Sequence, residues 1–423
     1  MLKYNVLVIG NGGREHAIIK SLLRSPKLNQ LFCSYGNGGI ASDAICIDLA
    51  NASEIINFCK QQNIELVIIG PEQPLVDGVS DELREAGIRT FAPSKAAAEV
   101  EASKAFTKSI CDAANIPTAS YGKFTDVDSA LNYIKNETLP IVIKADGLAA
   151  GKGVIIAETM VEAQQTIKEM FAGKFGDASK TIVIEEFLDG EELSFFAICD
   201  GKKAVAFGSA QDHKRAYDGD KGPNTGGMGT YSPAPILNDE LQDKIMQQII
   251  QPAVDELDKR SIPYSGILFA GLMIKNNQPK LIEFNARLGD PETQVILTRL
   301  QDDFLTLCFN AANGELPSSS PKFTNDSALC VVMAAKGYPD AYAKGSVIEG
   351  LEEAAALPNV IIYHAGTKLE DSQIKANGGR VLGITATGTT LQQAAKFAYD
   401  AVKTIKWEDG FYRSDIGWRA LNN

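Results

Sequence analysis

Histidine and cysteine are scarce in this chain of 423 residues, which holds three of the first and seven of the second. The histidines stand at 16, 213 and 364, too dispersed for a histidine-built metal centre. The cysteines, at 33, 46, 59, 111, 199, 308 and 330, are odd in number and form no Cys-x-x-Cys pair. That excludes a disulfide framework and a zinc site, and it points to a reducing compartment, the cytoplasm. Long apolar runs are also missing. The run Val6 to Ile9 is cut by Gly10, and the longest, Ala328 to Ala335, falls far short of the roughly 20 residues of a spanning helix. The expectation is a soluble protein with no signal peptide and no membrane partner. Positive charge is in deficit, with 41 Lys and Arg against 53 Asp and Glu and a net charge of -12, which argues against nucleic acid as a partner. A small anionic substrate remains compatible wherever basic residues gather.

What is present is an ordinary globular composition, long enough for two to four domains. The most informative stretch is K-L-I-E-F-N-A-R-L-G-D-P-E-T-Q, Lys280 to Gln294. Leu281, Ile282 and Phe284 make a strand, so Glu283 and Asn285, two apart, face one cavity together with Arg287. A carboxylate and an amide oxygen suit Mg²⁺ with a triphosphate in its shell, and the guanidinium can steady a transferring phosphoryl group.

At the N-terminus, Tyr4 to Ile9 reads as a strand that G-N-G-G, Gly10 to Gly13, turns into a helix carrying Ile18, Ile19, Leu22 and Leu23. Backbone N–H groups at such a start favour a phosphate. A dinucleotide is disfavoured, since the Gly-x-Gly-x-x-Gly pattern would need glycine at Glu15. A second unit runs through the helix Ala52 to Gln62 and the strand Leu66 to Ile69 to Gly70-Pro71-Glu72, which puts Glu72 at a ligand-facing sheet edge, near a sugar hydroxyl or an amine. Ile88 to Phe91 adds a last strand.

Between the strands Pro140 to Ala145 and Val154 to Ala157 lies D-G-L-A-A-G-K-G, Asp146 to Gly153, flanked by Lys144 and containing Lys152. It is not a P-loop, because glycine follows Lys152; a flexible hairpin lid over phosphates fits better. Glu185 to Leu188 and Glu192 offer an apolar slot and carboxylates for adenosine. Q-D-H-K-R, Gln211 to Arg215, opens a glycine- and proline-rich segment reaching Pro235 that reads as an ordered binding loop without structure of its own, with His213 a hydrogen-bonded structural histidine. Asn238 caps a scaffold helix, Ile267 to Ile274 pairs with Lys280 to Phe284 across Asn276-Asn277, Leu316 to Pro321 reads as a linker, and a smaller α+β unit follows.

In order, N-G-G-R-E-H at 11 to 16, I-V-I-K-A-D-G-L-A-A-G-K-G-V at 141 to 154, Q-D-H-K-R at 211 to 215, G-P-N-T-G-G-M-G at 222 to 229 and G-D-P-E-T-Q at 289 to 294 resemble the glycinamide ribonucleotide synthetase family of the ATP-grasp superfamily, over essentially the whole chain. The resemblance implies an α/β and α+β multidomain protein: an N-terminal open parallel α/β (pre-ATP-grasp) domain over residues 1–103, an ATP-grasp domain over 104–325 with a mobile β-hairpin lid in a subdomain at about 121–190, and a small C-terminal α+β domain over 326–423. It implies that ATP, glycine and 5-phosphoribosylamine give ADP, phosphate and glycinamide ribonucleotide in purine synthesis, with Mg²⁺ or Mn²⁺, through a glycyl phosphate. No covalent nucleophile is needed, which agrees with the absence of any Ser-His or Cys-His constellation.

By motif, Lys104 and Lys144 fall on the ATP phosphates, Lys152 on the lid, and Glu185, Glu186, Leu188 and Glu192 around adenosine. Glu283 and Asn285 become the metal ligands, and Arg287 stabilises the acyl phosphate. Asp212, Asp290, Pro291, Glu292 and Thr293 fall near glycine or the attacking amine, and Gly12, Gly13, Glu72, Lys368 and Arg380 around the phosphoribosyl group. Two departures are notable: Gly271 stands where the superfamily often has an acid before the metal strand, and Leu288 where this family often has phenylalanine. A monomer or weak homodimer is expected. Alternatives from other classes are an ATP-grasp ligase acting on another acid, a nucleotide-binding regulator without catalysis, and a dinucleotide oxidoreductase.

Overall fold

The computed structural model describes residues 2–147 and 153–421. Its first sheet is parallel and open, in the order β3-β2-β1-β4-β5, from β1 (Tyr4–Gly10), β2 (Leu28–Tyr35), β3 (Ile45–Ile47), β4 (Ile64–Ile69) and β5 (Thr90–Phe91). Helices cover both faces, so β1 and β4 are apolar at consecutive positions, as a doubly covered sheet demands. Leu7, Ile9, Val67 and Ile69 enter one buried cluster, and Val6, Val8, Leu66 and Ile68 enter another. The order changes direction at β1, and the helix Gly13–Leu22 starts at that crevice.

A small antiparallel sheet follows, in the order β6-β9-β7-β8, from β6 (Tyr121–Phe124), β7 (Ile141–Ala145), β8 (Val154–Ala157) and β9 (Ile182–Glu186). It has its own core of Ile134, Ile141, Ile143, Ile167, Met170, Ile182 and Ile184. Each such side chain contributes about 1.5–3 kcal/mol on burial, which gives this sheet a core separate from those of its neighbours. The hairpin tip of the expected lid, residues 148–152, lies outside the described residues.

The largest sheet has nine strands. Its first part comprises β10 (Glu191–Asp200), β11 (Ala204–Asp212), β14 (Gly229–Ser232), β15 (Ser265–Lys275) and β16 (Gln278–Asn285); β12 (Arg215–Tyr217) and β13 (Lys221–Asn224) form a separate hairpin before β14. The segment from Gln211 to Pro235, expected as a loop, is therefore largely paired. Its glycines permit this: Gly219 and Gly222 take the left-handed conformation around the turn of that hairpin. The remaining strands are β17 (Ser327–Ala335), β18 (Val360–His364), β21 (Arg380–Gly388) and the short β22 (Gly410–Phe411), with β19 (Thr367–Glu370) and β20 (Gln373–Ala376) as an outlying hairpin. The order is β16-β15-β10-β11-β14-β17-β21-β18. Thus β14 pairs with β17, and the C-terminal strands continue the same sheet instead of forming a sheet apart. Their apolar side chains pack under the helix Leu391–Thr404, whose Ala394, Ala398, Ala401 and Val402 are buried. Among the described residues no helix is long and apolar enough to cross a membrane.

Candidate active site

Glu283 and Asn285 lie two apart on β16, and Glu283 stands opposite Gly271 of β15, which in turn stands opposite Ser194 of β10. With no side chain at Gly271, the Glu283 Cγ comes within 3.4 Å of where a Cβ would sit. The donors are one carboxylate and one amide, both hard oxygen ligands, and no group of three or more His, Cys, Asp or Glu gathers into a metal cage among the described residues. Such a pair fits a divalent cation whose other ligands are phosphate oxygens and water.

Beside it lies a buried charge triad. On neighbouring strands β7 and β9, Lys144 is diagonal to Glu185, whose direct partner is Val142. The Lys144 Nζ is 2.8 Å from Glu185 Oε2, and Lys108 Nζ approaches Oε1 at 3.3 Å, with no side chain of the three more than 4 % exposed. Lys144 also donates to the Ile282 carbonyl at 3.3 Å, which ties the small sheet to β16. Lys104 opens the helix Lys104–Ala114, where Ser103 caps Phe106 and the Asp146 carboxylate accepts from the Ala105 N–H at 2.7 Å. Burial pulls the Lys104 ammonium below its ordinary range, a shift opposed by Glu283 and reinforced by Lys144.

Arg287 sits between two acids. Its Nη2 is 2.8 Å from Glu101 Oε1, its Nε is 3.5 Å from Glu72 Oε2, and its Nη1 donates to the Leu288 carbonyl at 3.2 Å. The Nε is buried and finds no hydrogen-bond partner among the described residues. Glu101 is fixed from the other side by the Ala286 N–H, at 2.7 Å, and burial raises its carboxyl above the ordinary range. Burial would also raise Glu72, but Arg287 and Arg14 outweigh it and hold that carboxyl low.

The Leu288 carbonyl also accepts from Arg14 Nη1 at 3.2 Å, which leads to the second half of the site. Glu15 bonds Arg14 Nε at 2.6 Å and the Gly12 N–H at 2.7 Å, closing the first turn of the helix Gly13–Leu22. A Cβ at Gly13 would stand 2.7 Å from Gln294 Nε2 and 3.5 Å from Asp290 Oδ1, so the glycine lets these two side chains approach the helix start closely. Asp290 is 3.3 Å from Arg380 Nη2, and Arg380 Nη1 reaches the carbonyls of Asp290 at 2.5 Å and Gly226 at 2.6 Å. Burial would raise the Asp290 carboxyl, yet Arg380 and Arg14 together hold it low.

Three descriptions of phosphoribosylglycinamide synthetase match in sequence order: its N domain over residues 4–101, its ATP-grasp domain over 102–293 and its C domain over 328–419. The chain belongs to the phosphoribosylglycinamide synthetase family. It is 53% identical to the phosphoribosylamine–glycine ligase of Brucella melitensis over 98% of either chain. The chloroplastic enzyme of that name from Arabidopsis thaliana is 52% identical, over 98% of this chain and 82% of its own. Among solved structures, the phosphoribosylamine–glycine ligase of Thermotoga maritima superposes with a TM-score of 0.86 at 32% identity, over 97% of this chain and all of its own. The biotin carboxylase domain of the Hydrogenobacter thermophilus 2-oxoglutarate carboxylase, at a TM-score of 0.75 and 18% identity, shares the fold. With the phosphoribosylglycinamide synthetase family come the use of ATP and of a divalent cation.

Within this family frame, the residues singled out in the sequence sort into three groups. Lys104, Lys144, Glu283, Asn285, Arg287 and Glu72 come together along one wall, and Gly12, Gly13, Asp290 and Arg380 converge on the other. Asp212 and Glu292 meet beside the wall: Glu292 Oε1 accepts from Ser194 Oγ at 3.2 Å, and burial, then the charge of Asp212, push its carboxyl up to about 7. Asp212 is raised too, by burial first, against the pull of Lys214 and with a further push from Glu192.

The remaining residues lie around these groups. Glu185, expected around adenosine, spends its carboxylate on two lysines because both are buried beside it. Glu186 accepts from the Ser120 N–H at 3.0 Å and Lys280 at 2.9 Å, Leu188 is half-buried in the turn after β9, and Glu192 pairs with Lys214 at 2.7 Å. Pro291 and Thr293 are buried, and the Thr293 hydroxyl donates to the Gly289 carbonyl, which shapes the turn. Lys368 extends from the outlying hairpin and pairs with Glu370 at 2.8 Å, while Lys152 lies outside the described residues. His213 is hydrogen-bonded on one side: its Nε2 accepts from the Gly417 N–H at 3.2 Å, its buried Nδ1 has no partner among the described residues, and burial drops it to about 4. Sequence reasoning missed Lys108, Glu101, Arg14 and Glu15. Of these, Arg14 and Glu15 lay inside a motif already quoted and could have been taken from it.

Proposed function

We propose that this chain uses ATP to ligate glycine to 5-phosphoribosylamine, giving glycinamide ribonucleotide, ADP and phosphate in purine synthesis. The observation that carries the reading is the Leu288 carbonyl, which accepts from Arg287 on the nucleotide side and from Arg14 on the glycine-turn side. One backbone group thus holds together a wall suited to triphosphate and a wall suited to a second phosphorylated substrate.

A glycine carboxylate is a poor acyl electrophile and must first accept the γ-phosphoryl group as glycyl phosphate. Lys104 and Lys144 hold the phosphates of ATP, with Lys152 closing from the lid. Glu185, Glu186, Leu188 and Glu192 surround the nucleoside, the first through the lysines that it fixes. Arg287, whose buried Nε makes no hydrogen bond among the described residues, meets the developing charge on the transferred group. Glu283 and Asn285 would hold Mg²⁺, or Mn²⁺ in its place, and the ion would supply positive charge to offset that of the phosphates. Asp212 and Glu292 receive the ammonium of glycine, with Pro291 and Thr293 shaping the turn beneath. The amine of phosphoribosylamine then attacks the acyl carbon and phosphate leaves. Its own phosphate lies against the helix start at Gly12 and Gly13, where the helix dipole favours an anion, with Lys368 and Arg380 as cations and Glu72 toward the ribose. The reading implies a cytoplasmic protein, active as a monomer or weak homodimer.

The test is ADP formation with Mg²⁺, ATP and glycine, with and without phosphoribosylamine generated in place. Release that needs both glycine and the amine is expected. Release with bicarbonate or formate in place of glycine would assign another ATP-grasp ligase, and no release under any condition would leave a nucleotide-binding regulator.

A further inference from the structure

His16 closes the motif N-G-G-R-E-H, yet nothing in the reaction above uses it. It is 2 % exposed, on the helix whose first turn forms the glycine wall. Its Nδ1 accepts the backbone N–H of His364 at 2.8 Å. The proton must therefore sit on Nε2, which donates to Asp43 Oδ2 at 2.8 Å. Asp43 is held in turn by Lys20 Nζ at 2.9 Å, so the imidazole is fixed in tautomer and orientation by a carboxylate that is itself anchored.

The carbonyl of the same residue is held as well. Asn37 Nδ2 donates to the His364 carbonyl and to the Asn11 carbonyl, 2.8 Å each, and Asn37 Oδ1 accepts from the N–H groups of Gly39 and Ile40 at 2.9 Å. Two side chains of the first domain thus grip one residue of the C-terminal segment by both its N–H and its C=O. That residue ends β18, and the next ones lie over the glycine turn: a Cβ at Gly13 would stand 3.5 Å from the Ala365 Cβ, and the Gly38 N–H donates to the Thr367 carbonyl at 3.3 Å. Lys368 follows immediately, and the Gly366 N–H bonds the Arg380 carbonyl at 3.0 Å.

We infer that His16 and Asn37 are positioning residues for the phosphoribosylamine subsite, clamping the His364 peptide groups so that residues 365–368 and Arg380 meet the helix start at Gly12 and Gly13. The inference rests on the proposed ligase reading and on its placement of the substrate phosphate. Neither residue contacts the nucleotide wall, so binding of ATP and glycine is independent of the clamp. His16 also lines a cavity of ≈ 570 Å³ between the helix Gly13–Leu22 and β18, so shortening this side chain extends existing space instead of opening a void in a packed core.

The experiment compares wild type, His16→Ala, His16→Asn and Asn37→Ala by steady-state kinetics for each substrate. In His16→Ala and Asn37→Ala the KM for phosphoribosylamine is expected to rise at least tenfold, with kcat and the KM values for ATP and glycine within a factor of two. In His16→Asn, whose amide oxygen takes the place of Nδ1, that KM returns to within about threefold of wild type. Hydrogen exchange at the His364 amide, faster in His16→Ala and slow again in His16→Asn, reports the clamp without turnover. An unchanged amine KM in both alanine variants overturns the inference, as does a parallel rise in all three KM values. Wild type inactive with glycine and the amine would sink the ligase reading, a result separate from either.

Discussion

Lys144 and Glu185 meet at 2.8 Å on neighbouring strands, in a place where neither side chain is more than 4 % exposed. A buried carboxylate shared by two lysines gains little over an apolar packing of equal size, but it becomes costly to break from one side only. Its position between the small sheet and β16 makes it a joint between the two.

Glu185→Ala leaves the Lys108 and Lys144 ammonium groups without their buried counter-charge, and a loss of about 3–5 kcal/mol is expected in the sheet that holds Lys144 and Glu185. Glu185→Gln, which keeps the shape, is expected to lose less. Urea titrations monitored by a probe in residues 121–186 would decide; equal midpoints for wild type and alanine variant would show that the lysines find other partners.

Arg287→Ala is expected to leave ATP binding nearly intact and to lower turnover by about two orders of magnitude or more, the scale of removing a preorganised donor from a developing oxyanion. Glu101→Gln keeps the guanidinium but removes the charge 2.8 Å from its Nη2, and a smaller loss in kcat is expected. Equilibrium nucleotide binding beside single-turnover ADP formation separates the two effects. Unchanged turnover in Arg287→Ala would remove the arginine from the chemistry.

Glu292 gives a pH signature. Burial and the charge of Asp212 raise its carboxyl from an ordinary 4.5 to about 7 in the folded protein. A carboxyl raised on folding favours the native state fully below its unfolded value, and that advantage is lost as pH climbs through the folded one. Glu292→Gln is therefore expected to lie below wild type in Tm at pH 5 and to gain on it steadily up to pH 8. Parallel Tm curves across that range would mean that Glu292 is ionised throughout.

Metal binding is expected to depend on nucleotide, because Glu283 and Asn285 are the only protein donors proposed and Gly271 supplies none. Titration with Mn²⁺, read by electron paramagnetic resonance, should show weak binding alone and tighter binding with a non-hydrolysable ATP analogue. Gly271→Asp adds an oxygen donor beside Glu283 and is expected to strengthen nucleotide-free binding by roughly tenfold, since affinity follows the ligand charge count. Tight binding by wild type without nucleotide would contradict the two-donor arrangement.

Local signals carried much of this site into the sequence. The alternation of Glu283 and Asn285, the glycine turn before the helix at Gly13 and the unbroken apolar runs of β1 and β4 each follow from neighbours a few residues apart. What stayed hidden depends on distant pairing. Nothing near Glu101 announces Arg287, 186 residues later by chain number. Lys108 sits four residues after Lys104 on one helix and reads as another solvated base until β9 brings Glu185 over it. The pairing of β14 with β17 was equally illegible, because short apolar strands carry no mark of their partners.

That last pairing bears on how the chain tolerates being shortened. A product ending before Ser327 would keep every residue proposed to touch ATP, yet β14 would lose the strand that accepts its outer hydrogen bonds. Its exposed rim would present Gly229 to Ser232, all buried in the intact chain, as a template for whatever extended segment arrived next. Nonsense and frameshift alleles in this region would yield sticky, aggregating fragments, and not a smaller kinase-like remnant.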